Sequence, residues 1–315
     1  MPSADTYTAQ TLHVEGHTLA AWTFNAHLSP DERPPIIFMH GITASNSMWQ
    51  IGQTPHVRAH HRWYALSLPG HHPATFPPDH LALEIQPQAH ARIMTAAIRQ
   101  LVGERPVILA GHSTGGFLAL SIAALSIAAQ KNSALKVAGV VSVCGFACGR
   151  WMGALGLLQR LAGGGIFGHL GFRAALRVMA VHPAIFKAAV SLYAHDRRAL
   201  YRHPPTLPTL SAMYHHAARL DASAMRQYFY RLRRIDISAN LGHITAPMLV
   251  IAGQYDPIVP PSQSRRIAEA VPNSRLVLID GAGHLPMSER AADYDRAMSD
   301  WLAQHFDPQD QNRRR

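Results

Sequence analysis

The stretch Pro106-Val-Ile-Leu-Ala-Gly-His-Ser-Thr-Gly-Gly116 decides the fold of this chain. A run of large apolar residues, typical of a buried strand, stops at Gly111, and a helical pattern begins after Gly115. The two glycines indicate a turn too sharp for neighbouring side chains, with Ser113 at its apex. Such a turn lifts the serine hydroxyl above the edge of a sheet and points the amides of the helix start at the atom it attacks. We therefore predict that Ser113 is the nucleophile of an acyl-transfer reaction.

The same motif would also suit a serine that only caps a helix, so the rest of the chain has to supply catalytic partners. A serine nucleophile needs a base, an acid that orients the base, and donors for the oxyanion. A strand-like run at 275–279 leads into Asp280-Gly-Ala-Gly-His284, and the glycines allow this loop to present His284 as the base. Another apolar run, 248–252, ends shortly before Asp256. We predict that this aspartate binds the second ring nitrogen of the histidine.

Two backbone amides are the predicted oxyanion donors. The apolar run at 35–39 is typical of a strand, and His40-Gly41-Ile42 follows it. Gly41 lets the backbone turn toward the serine. The N–H groups of Ile42 and Thr114 are then expected to face the oxygen on which negative charge develops.

The chain contains 21 histidines, two of which have supporting roles in this prediction. We expect His40 to brace the oxyanion loop. His112 should shape the pocket floor rather than act as the base, because its side chain leaves the turn in another direction. The adjacent pairs at 60–61, 71–72 and 215–216 lack metal-ligand spacing, since neighbours in sequence do not share a helical face. We therefore expect no metal site and no organic cofactor.

Together these landmarks resemble the α/β-hydrolase superfamily, in its cap-bearing, esterase-like branch with a serine nucleophile. The similar motifs are His40-Gly41, Gly111–Gly116, Ala252–Asp256 and Gly281–His284. The resemblance implies the α/β fold class, with a mostly parallel eight-stranded sheet, helices on both faces, and the chain order serine, aspartate, histidine. At Leu66–Thr75 the sequence departs from the family, whose members often carry an aspartate and a Gly-x-Gly-x-Ser stretch there.

A serine at position 113 separates the chain from relatives that attack with a carboxylate, such as epoxide hydrolases and haloalkane dehalogenases. It implies an acyl or acyl-like electrophile. We expect hydrolysis of a carboxylic ester or thioester through an acyl-enzyme. Two alternatives stay open: a hydrolase of carbon–carbon bonds in ring-cleavage products, and a non-catalytic homologue that binds a ligand.

Alternating apolar patterns and turn residues predict the order of elements along the chain. A hairpin is expected at 9–24, further strands near 35–39, 63–68, 107–110, 137–143, 248–252 and 275–279, and helices near 87–103, 114–130, 261–271 and 288–304. This order predicts a core formed by residues 1–148 and 238–307, a helical cap inserted at 149–237, and a disordered tail at 308–315.

The predicted cap at 149–237 carries the whole net charge of the chain. It holds 13 Lys and Arg against 3 Asp and Glu, whereas the remainder holds 16 of each, so the formal charge of +10 lies in this segment. A solvated surface, an anionic substrate or acidic acyl carrier at the pocket mouth, and an anionic membrane are three interpretations. The third would use the apolar run 154–161 and the glycines of 163–168. We expect a small acyl ester as substrate, allow an acidic carrier, and expect neither nucleic-acid binding nor membrane association.

The remaining composition indicates one compact unit, because 315 residues with 48% hydrophobic content can bury one large core. Cys144 and Cys148 match no common zinc or redox spacing, so we expect free thiols. The first seven residues show no signal-peptide pattern, and no run of about 18 apolar residues is present. We therefore expect a cytoplasmic location.

Overall fold

Eight strands form one sheet at the centre of the protein. The structure, a computed structural model, describes residues 6–77, 86–128 and 135–307. The strands are β1 (Tyr7–Val14), β2 (His17–Phe24), β3 (Ile36–Met39), β4 (Trp63–Leu66), β5 (Val107–His112), β6 (Val137–Val143), β7 (Met248–Gly253) and β8 (Ser274–Ile279). Their order in the sheet is β1-β2-β4-β3-β5-β6-β7-β8. The β1–β2 and β2–β4 pairs are antiparallel and the other five pairs are parallel, which confirms the predicted mostly parallel eight-stranded sheet.

The described residues also form twelve α-helices. They are α1 (Pro55–His60), α2 (Pro87–Val102), α3 (Thr114–Ala128), α4 (Gly153–Ala162), α5 (Gly165–Val181), α6 (Pro183–Ser191), α7 (Arg197–Arg202), α8 (Thr206–Ala217), α9 (Ala222–Leu232), α10 (Pro261–Ala270), α11 (Pro286–Glu289) and α12 (Ala291–Phe306). Residues of α2, α3 and α10 join one apolar core, and residues of α1 and α12 join a second. Helices therefore cover both faces of the sheet, as predicted.

The central strands are apolar throughout because both of their faces are covered. Every residue of β3, β5 and β7 is buried, as expected for parallel strands that lie between two helical layers. Strand β1, at one edge of the sheet, exposes six of its eight residues. Because β3, β5, β6 and β7 are parallel, their carboxyl ends lie at the same edge of the sheet, and the candidate site lies at that edge.

One predicted helix differs from the structure. The pattern at 288–304 indicated a single helix, but the chain breaks at Arg290, whose φ of −141° and ψ of 56° are not helical. The carboxylate of the preceding Glu289 accepts hydrogen bonds from distant amides, and the Arg290 guanidinium bonds to Asp196 at 3.1 Å. These contacts stabilise the non-helical backbone at Arg290. The predicted tail at 308–315, residues 129–130 of a predicted helix and residues 1–5 of the predicted core lie outside the described residues.

Helices α4 to α9 all lie between β6 and β7, in residues 149–237, which we call the insertion. An isolated bridge between Cys148 and Asp236 joins its two ends. Both cysteines are free thiols, Cys144 buried and Cys148 half-buried. No single described helix is long and apolar enough to cross a membrane, and α5 and α6, bent by 116°, meet that test only when taken together.

Candidate active site

Ser113 lies at the apex of a strained turn between β5 and α3. Its φ is +54°, in the left-handed region, and its amide donates to the Val143 carbonyl at 2.8 Å. A Cβ at Gly111 would overlap the Gly115 backbone, and a Cβ at Gly115 would overlap the carbonyl of Met39. The two glycines are therefore required by close backbone approach, as the sequence predicted, and the turn is sharp enough to hold the serine above the strand end.

His284 and Asp256 form the shortest polar contact at the site. The Nδ1 atom of His284 lies 2.6 Å from Oδ2 of Asp256, and both side chains are buried. The other carboxylate oxygen accepts from the amides of Ile258 and Val259 at 2.8 and 2.9 Å. Because the carboxylate only accepts hydrogen bonds here, Nδ1 carries the proton and Nε2 is left as a base.

The serine and the histidine face one cavity. Among the described residues, neither Oγ of Ser113 nor Nε2 of His284 has a hydrogen-bond partner, although both atoms are buried. Both residues line the same cavity. The bond between a nucleophile and its base often tightens only when substrate is bound, so the arrangement is ready to receive a reacting group.

His40 holds the predicted oxyanion loop. The amide of Leu68 donates to its Nε2 at 3.2 Å, so its Nδ1 is the protonated nitrogen and donates to the Gly41 carbonyl at 2.8 Å. In a trans peptide the N–H points opposite to the C=O. The Gly41 carbonyl and the Ile42 amide belong to one peptide, so this bond directs the Ile42 N–H away from the His40 ring. Burial and the neighbouring His71 lower the pKa of His40 well below its usual value, which keeps the ring neutral.

His71 is a second brace, which the sequence did not identify. The next residue of the loop, Thr43, has a φ of +60°, and its amide donates to Nε2 of His71 at 3.2 Å. Nδ1 of His71 donates to the Pro69 carbonyl at 3.1 Å. The only signal was the departure from the family pattern at 66–75, which contains this histidine.

Acid should destabilise the protein through His71. Burial lowers the pKa of His71 from 6.5 to about 4, so between these pH values the unfolded chain binds a proton that the folded chain does not. The contribution of this ring to stability is complete above pH 6.5 and is lost as the pH falls toward about 4. His71→Gln should therefore reduce the slope of the unfolding free energy against pH by about 1.4 kcal/mol per pH unit in this window.

Urea unfolding at several pH values measures that slope. His27→Gln is the matched control, because the His27 side chain is exposed, and it should keep the slope of the unsubstituted protein. An unchanged slope in His71→Gln would contradict a neutral, buried His71.

His112 supports the backbone at His284. Its Nε2 donates to the backbone carbonyl of His284 at 2.7 Å, and it lines the cavity. Burial, together with the neighbouring His284, lowers the pKa of His112 to about 3. A ring this hard to protonate is a poor general base, which agrees with the predicted role at the pocket floor.

Glu289 clamps the loop that carries His284. One of its carboxylate oxygens accepts from the amides of Gly283 and Leu285, on either side of the histidine, at 3.0 and 3.2 Å. The other oxygen accepts from the amide of Asp196, in the insertion, at 2.8 Å. Burial raises the pKa of Glu289, opposed by these backbone hydrogen bonds. The sequence did not show this role, because the insertion reaches the loop only in the folded chain.

Tyr193 of the insertion joins the two loops of the site. Its carbonyl accepts from the amide of His284 at 2.9 Å, and its ring lies edge-on to the imidazole with centroids 6.3 Å apart. Its hydroxyl contacts the side chain of Thr43 on the oxyanion loop, and burial raises its pKa to about 12. The position of His284 therefore depends on contacts with the insertion.

Glu289→Gln should reduce turnover without unfolding the protein. An amide has one acceptor oxygen, so its NH₂ group would face at least one backbone N–H and the His284 loop would shift. A displacement on the order of 1 Å costs up to about a hundredfold in rate, so kcat should fall about tenfold to a hundredfold with little change in KM.

Steady-state kinetics on an ester, with a thermal melt to confirm folding, measures the effect. Glu269→Gln is the control, because it removes the same charge at an exposed position on α10. An unaltered kcat in Glu289→Gln would show that the clamp does not position the base.

Cys144 lies close to His112 and His284. It has a φ of +48° and, with His112 and His284, it could offer three ligand atoms within 4.8 Å of one another. Burial and the negative charge of Asp256 raise the pKa of its thiol well above the usual value. A metal ligand has to be a thiolate, and burial beside a carboxylate disfavours that form of Cys144. We therefore assign no metal to this cluster.

The cavity above Ser113 is narrow and apolar. Its volume is about 50 Å³, which is room for only a few water molecules. Its lining includes residues of the insertion from α4, α5, α6, α7 and α8, namely Leu155, Met179, Phe186, Val190, Leu200, Thr206, Leu210 and Met213. Among the described residues that line it, none is Asp, Glu, Lys or Arg. Ser113 is 1% exposed, so the insertion closes the site from solvent.

A family model and several known proteins match parts of this chain. A family model described as alpha/beta hydrolase fold matches residues 34–291. The chain is 38% identical over 73 residues to RutD of Pseudomonas savastanoi pv. phaseolicola, named as a carbamate hydrolase, covering 23% of this chain and 28% of that one. It is 36% identical over 67 residues to a 2-hydroxy-6-oxononadienedioate/2-hydroxy-6-oxononatrienedioate hydrolase of Cupriavidus pinatubonensis, covering 21% and 23%. The chain thus spans about a quarter of the length of these curated relatives.

A solved structure with the same fold covers nearly the whole chain. The enol-lactonase of Burkholderia xenovorans LB400 superposes with a TM-score of 0.70 and 18% identity, over 93% of this chain and 99% of that one. At this identity the likeness concerns the fold alone. The family model covers most of the chain, and the structure has the mostly parallel eight-stranded sheet that the sequence resemblance implied. The protein is therefore a member of the α/β-hydrolase family.

Proposed function

We propose that the protein hydrolyses a carboxylic ester or thioester of an apolar acyl group, through an acyl-enzyme on Ser113. One observation carries this proposal: a serine in a left-handed turn shares a buried cavity with a histidine whose other nitrogen lies 2.6 Å from a carboxylate. A structural serine at a helix start needs neither of these partners.

In the proposed mechanism, Nε2 of His284 takes the proton of the Ser113 hydroxyl as its oxygen attacks the carbonyl carbon. Asp256 keeps the correct tautomer and stabilises the imidazolium that forms. The amides of Ile42 and Thr114 stabilise the oxyanion of the tetrahedral intermediate, an effect typically worth about 3 kcal/mol per donor. The imidazolium then protonates the leaving alcohol or thiol. Water activated by the same histidine releases the acid from the acyl-enzyme.

The cavity lining favours an uncharged acyl group. Its side chains are mainly aliphatic or aromatic, and no described lining residue carries a fixed positive charge. Burying a carboxylate there without a partner would cost several kcal/mol. The lining therefore disfavours the alternative in which a dienoate ring-cleavage product is the substrate, because that substrate brings carboxylate groups into the site.

The proposal is tested by hydrolysis of p-nitrophenyl esters from acetyl to palmitoyl, with Ser113→Ala as control. We expect turnover that requires Ser113. The preferred chain length will show how long an acyl group the cavity accepts. Fluorophosphonate labelling without turnover of any ester would replace the simple ester by a carrier-bound or ring-cleavage substrate. Neither turnover nor labelling would favour the non-catalytic, ligand-binding alternative.

A further inference from the structure

Large apolar side chains are exposed mainly on the insertion. Among the described residues, ten of the twelve exposed large apolar side chains lie in residues 149–237, namely Met152, Leu157, Ile166, Phe167, Leu170, Val178, Val181, Ile185, Leu192 and Leu207. Single exposed apolar residues are ordinary, whereas a contiguous group marks an interaction site. The insertion is therefore the part of the described chain in which to look for an interaction surface.

Five of these residues form one stripe along α5. Ile166, Phe167, Leu170, Val178 and Val181 are 66%, 84%, 58%, 55% and 70% exposed. At 100° per residue these five positions fall within an arc of about 120°, on one face of the helix. We call this set the α5 stripe. The opposite face of the same helix carries the buried Phe172, so α5 is apolar on both its inner and its outer side.

The charges around the stripe have one sign. The chain has no Asp or Glu between residues 149 and 195, and in the same span it has Arg150, Arg160, Arg173, Arg177 and Lys187. Arg173 and Arg177 are exposed on α5 itself, and no described acidic group pairs with either of them. At helical spacing both arginines lie along one edge of the α5 stripe. An apolar stripe with arginines along its edge matches a surface that is apolar inside and anionic outside.

Helix α6 connects this surface to the cavity. Its exposed side carries Ile185, and Leu192 follows at its end, also exposed. Its buried side chains Phe186 and Val190 line the cavity above the serine. A single helix thus separates the outer apolar surface from the site, and the cavity is too small for an extended acyl chain unless the insertion moves.

We propose that α5 and α6 dock on an anionic lipid bilayer, with the α5 stripe in the interface and Arg173 and Arg177 at the headgroups. Amphipathic helices with this combination lie in the plane of the membrane surface rather than across it. A second copy of the chain is a poor occupant, because each insertion carries a net charge of +10 and two would repel. The expectation of no membrane association came from the sequence, in which the exposure of α5 was not visible.

Sedimentation with sucrose-loaded vesicles tests this proposal. The protein used is full-length Ser113→Ala, so that binding is measured without turnover and a failure here is distinct from a failure of the proposed hydrolase activity. We expect it to pellet with vesicles of equimolar phosphatidylglycerol and phosphatidylcholine, and much less with phosphatidylcholine alone. Binding should weaken as salt is added, because headgroup attraction is screened.

Two added double variants separate the apolar and the charged parts. Phe167→Ser with Val181→Ser should lower the partition coefficient at least about tenfold, since two large apolar side chains no longer enter the interface. Arg173→Gln with Arg177→Gln should lower it about twenty-fivefold on anionic vesicles only, at about fivefold per arginine. Circular dichroism checks that both variants are folded.

The control Arg265→Gln with Arg266→Gln removes the same charge from exposed positions on α10 and should bind like the parent. An equal loss in this control would reduce the effect to net charge and overturn the proposal. Absence of pelleting with anionic vesicles would also overturn it, and would leave an acidic protein as the partner of this face.

Discussion

Ser113→Ala is expected to lower kcat toward an ester by about 10⁵-fold to 10⁶-fold, the size of loss seen when a serine nucleophile is removed from a working triad. Without the hydroxyl no acyl-enzyme can form. The oxyanion amides and the apolar cavity would remain, so a small residual rate above that in water and a similar KM are expected.

The fold should survive this change. Alanine has a cost at the φ of +54° that Ser113 adopts, but serine bears nearly the same cost, because each has a Cβ. Ser121→Ala is the matched control: this buried serine lies on α3, and its hydroxyl donates only to the Phe117 carbonyl one turn earlier. We expect near-parental kinetics in the control. Parental kinetics in Ser113→Ala would remove the basis of the mechanism.

Asp256→Asn is expected to lower kcat by about 10⁴-fold through the tautomer of His284. The amides of Ile258 and Val259 donate to Oδ1, so an asparagine would place its oxygen there and its NH₂ group toward Nδ1. That nitrogen would have to accept, and the ring proton would move to Nε2. The histidine could then no longer take the proton of Ser113.

A pH–rate profile and the melting temperature measure this effect. Asp280→Asn, at an exposed position four residues before His284, is the control and should leave kcat within a factor of about two, since exposed charges contribute little. A fall of less than about tenfold in Asp256→Asn, set against the expected 10⁴-fold, would show that the carboxylate does not set the tautomer.

The sharp turn at Ser113, the contact between Asp256 and His284, and the sheet could be predicted because their signals are local. Glycine spacing around Ser113 reports a close backbone approach, and the structure shows that each flanking Cβ would collide with main-chain atoms. The aspartate and the histidine each follow an apolar run, and parallel strands bring their carboxyl ends to one edge. These inferences need no knowledge of how distant segments pack.

The supporting contacts could not be predicted, since they join segments far apart in sequence. Glu289 meets Asp196 across 93 residues, and Tyr193 reaches His284 from the insertion. The outward face of α5 carries large apolar residues, as a helix in the core does. Composition alone therefore does not show which side of α5 is buried and which is exposed. The break at Arg290 could not be predicted for the same reason. The sequence there has a helical pattern, but Glu289 and Arg290 bond to Asp196 of the insertion instead.

Mass spectrometry of the protein after reaction with a fluorophosphonate tests the central claim most directly, since the probe needs an activated serine and no knowledge of the substrate. We expect one adduct per chain, located on the peptide that contains Ser113, abolished in Ser113→Ala and formed much more slowly in Asp256→Asn. An unmodified protein, or an adduct on another residue, would contradict the assignment of Ser113 as the nucleophile.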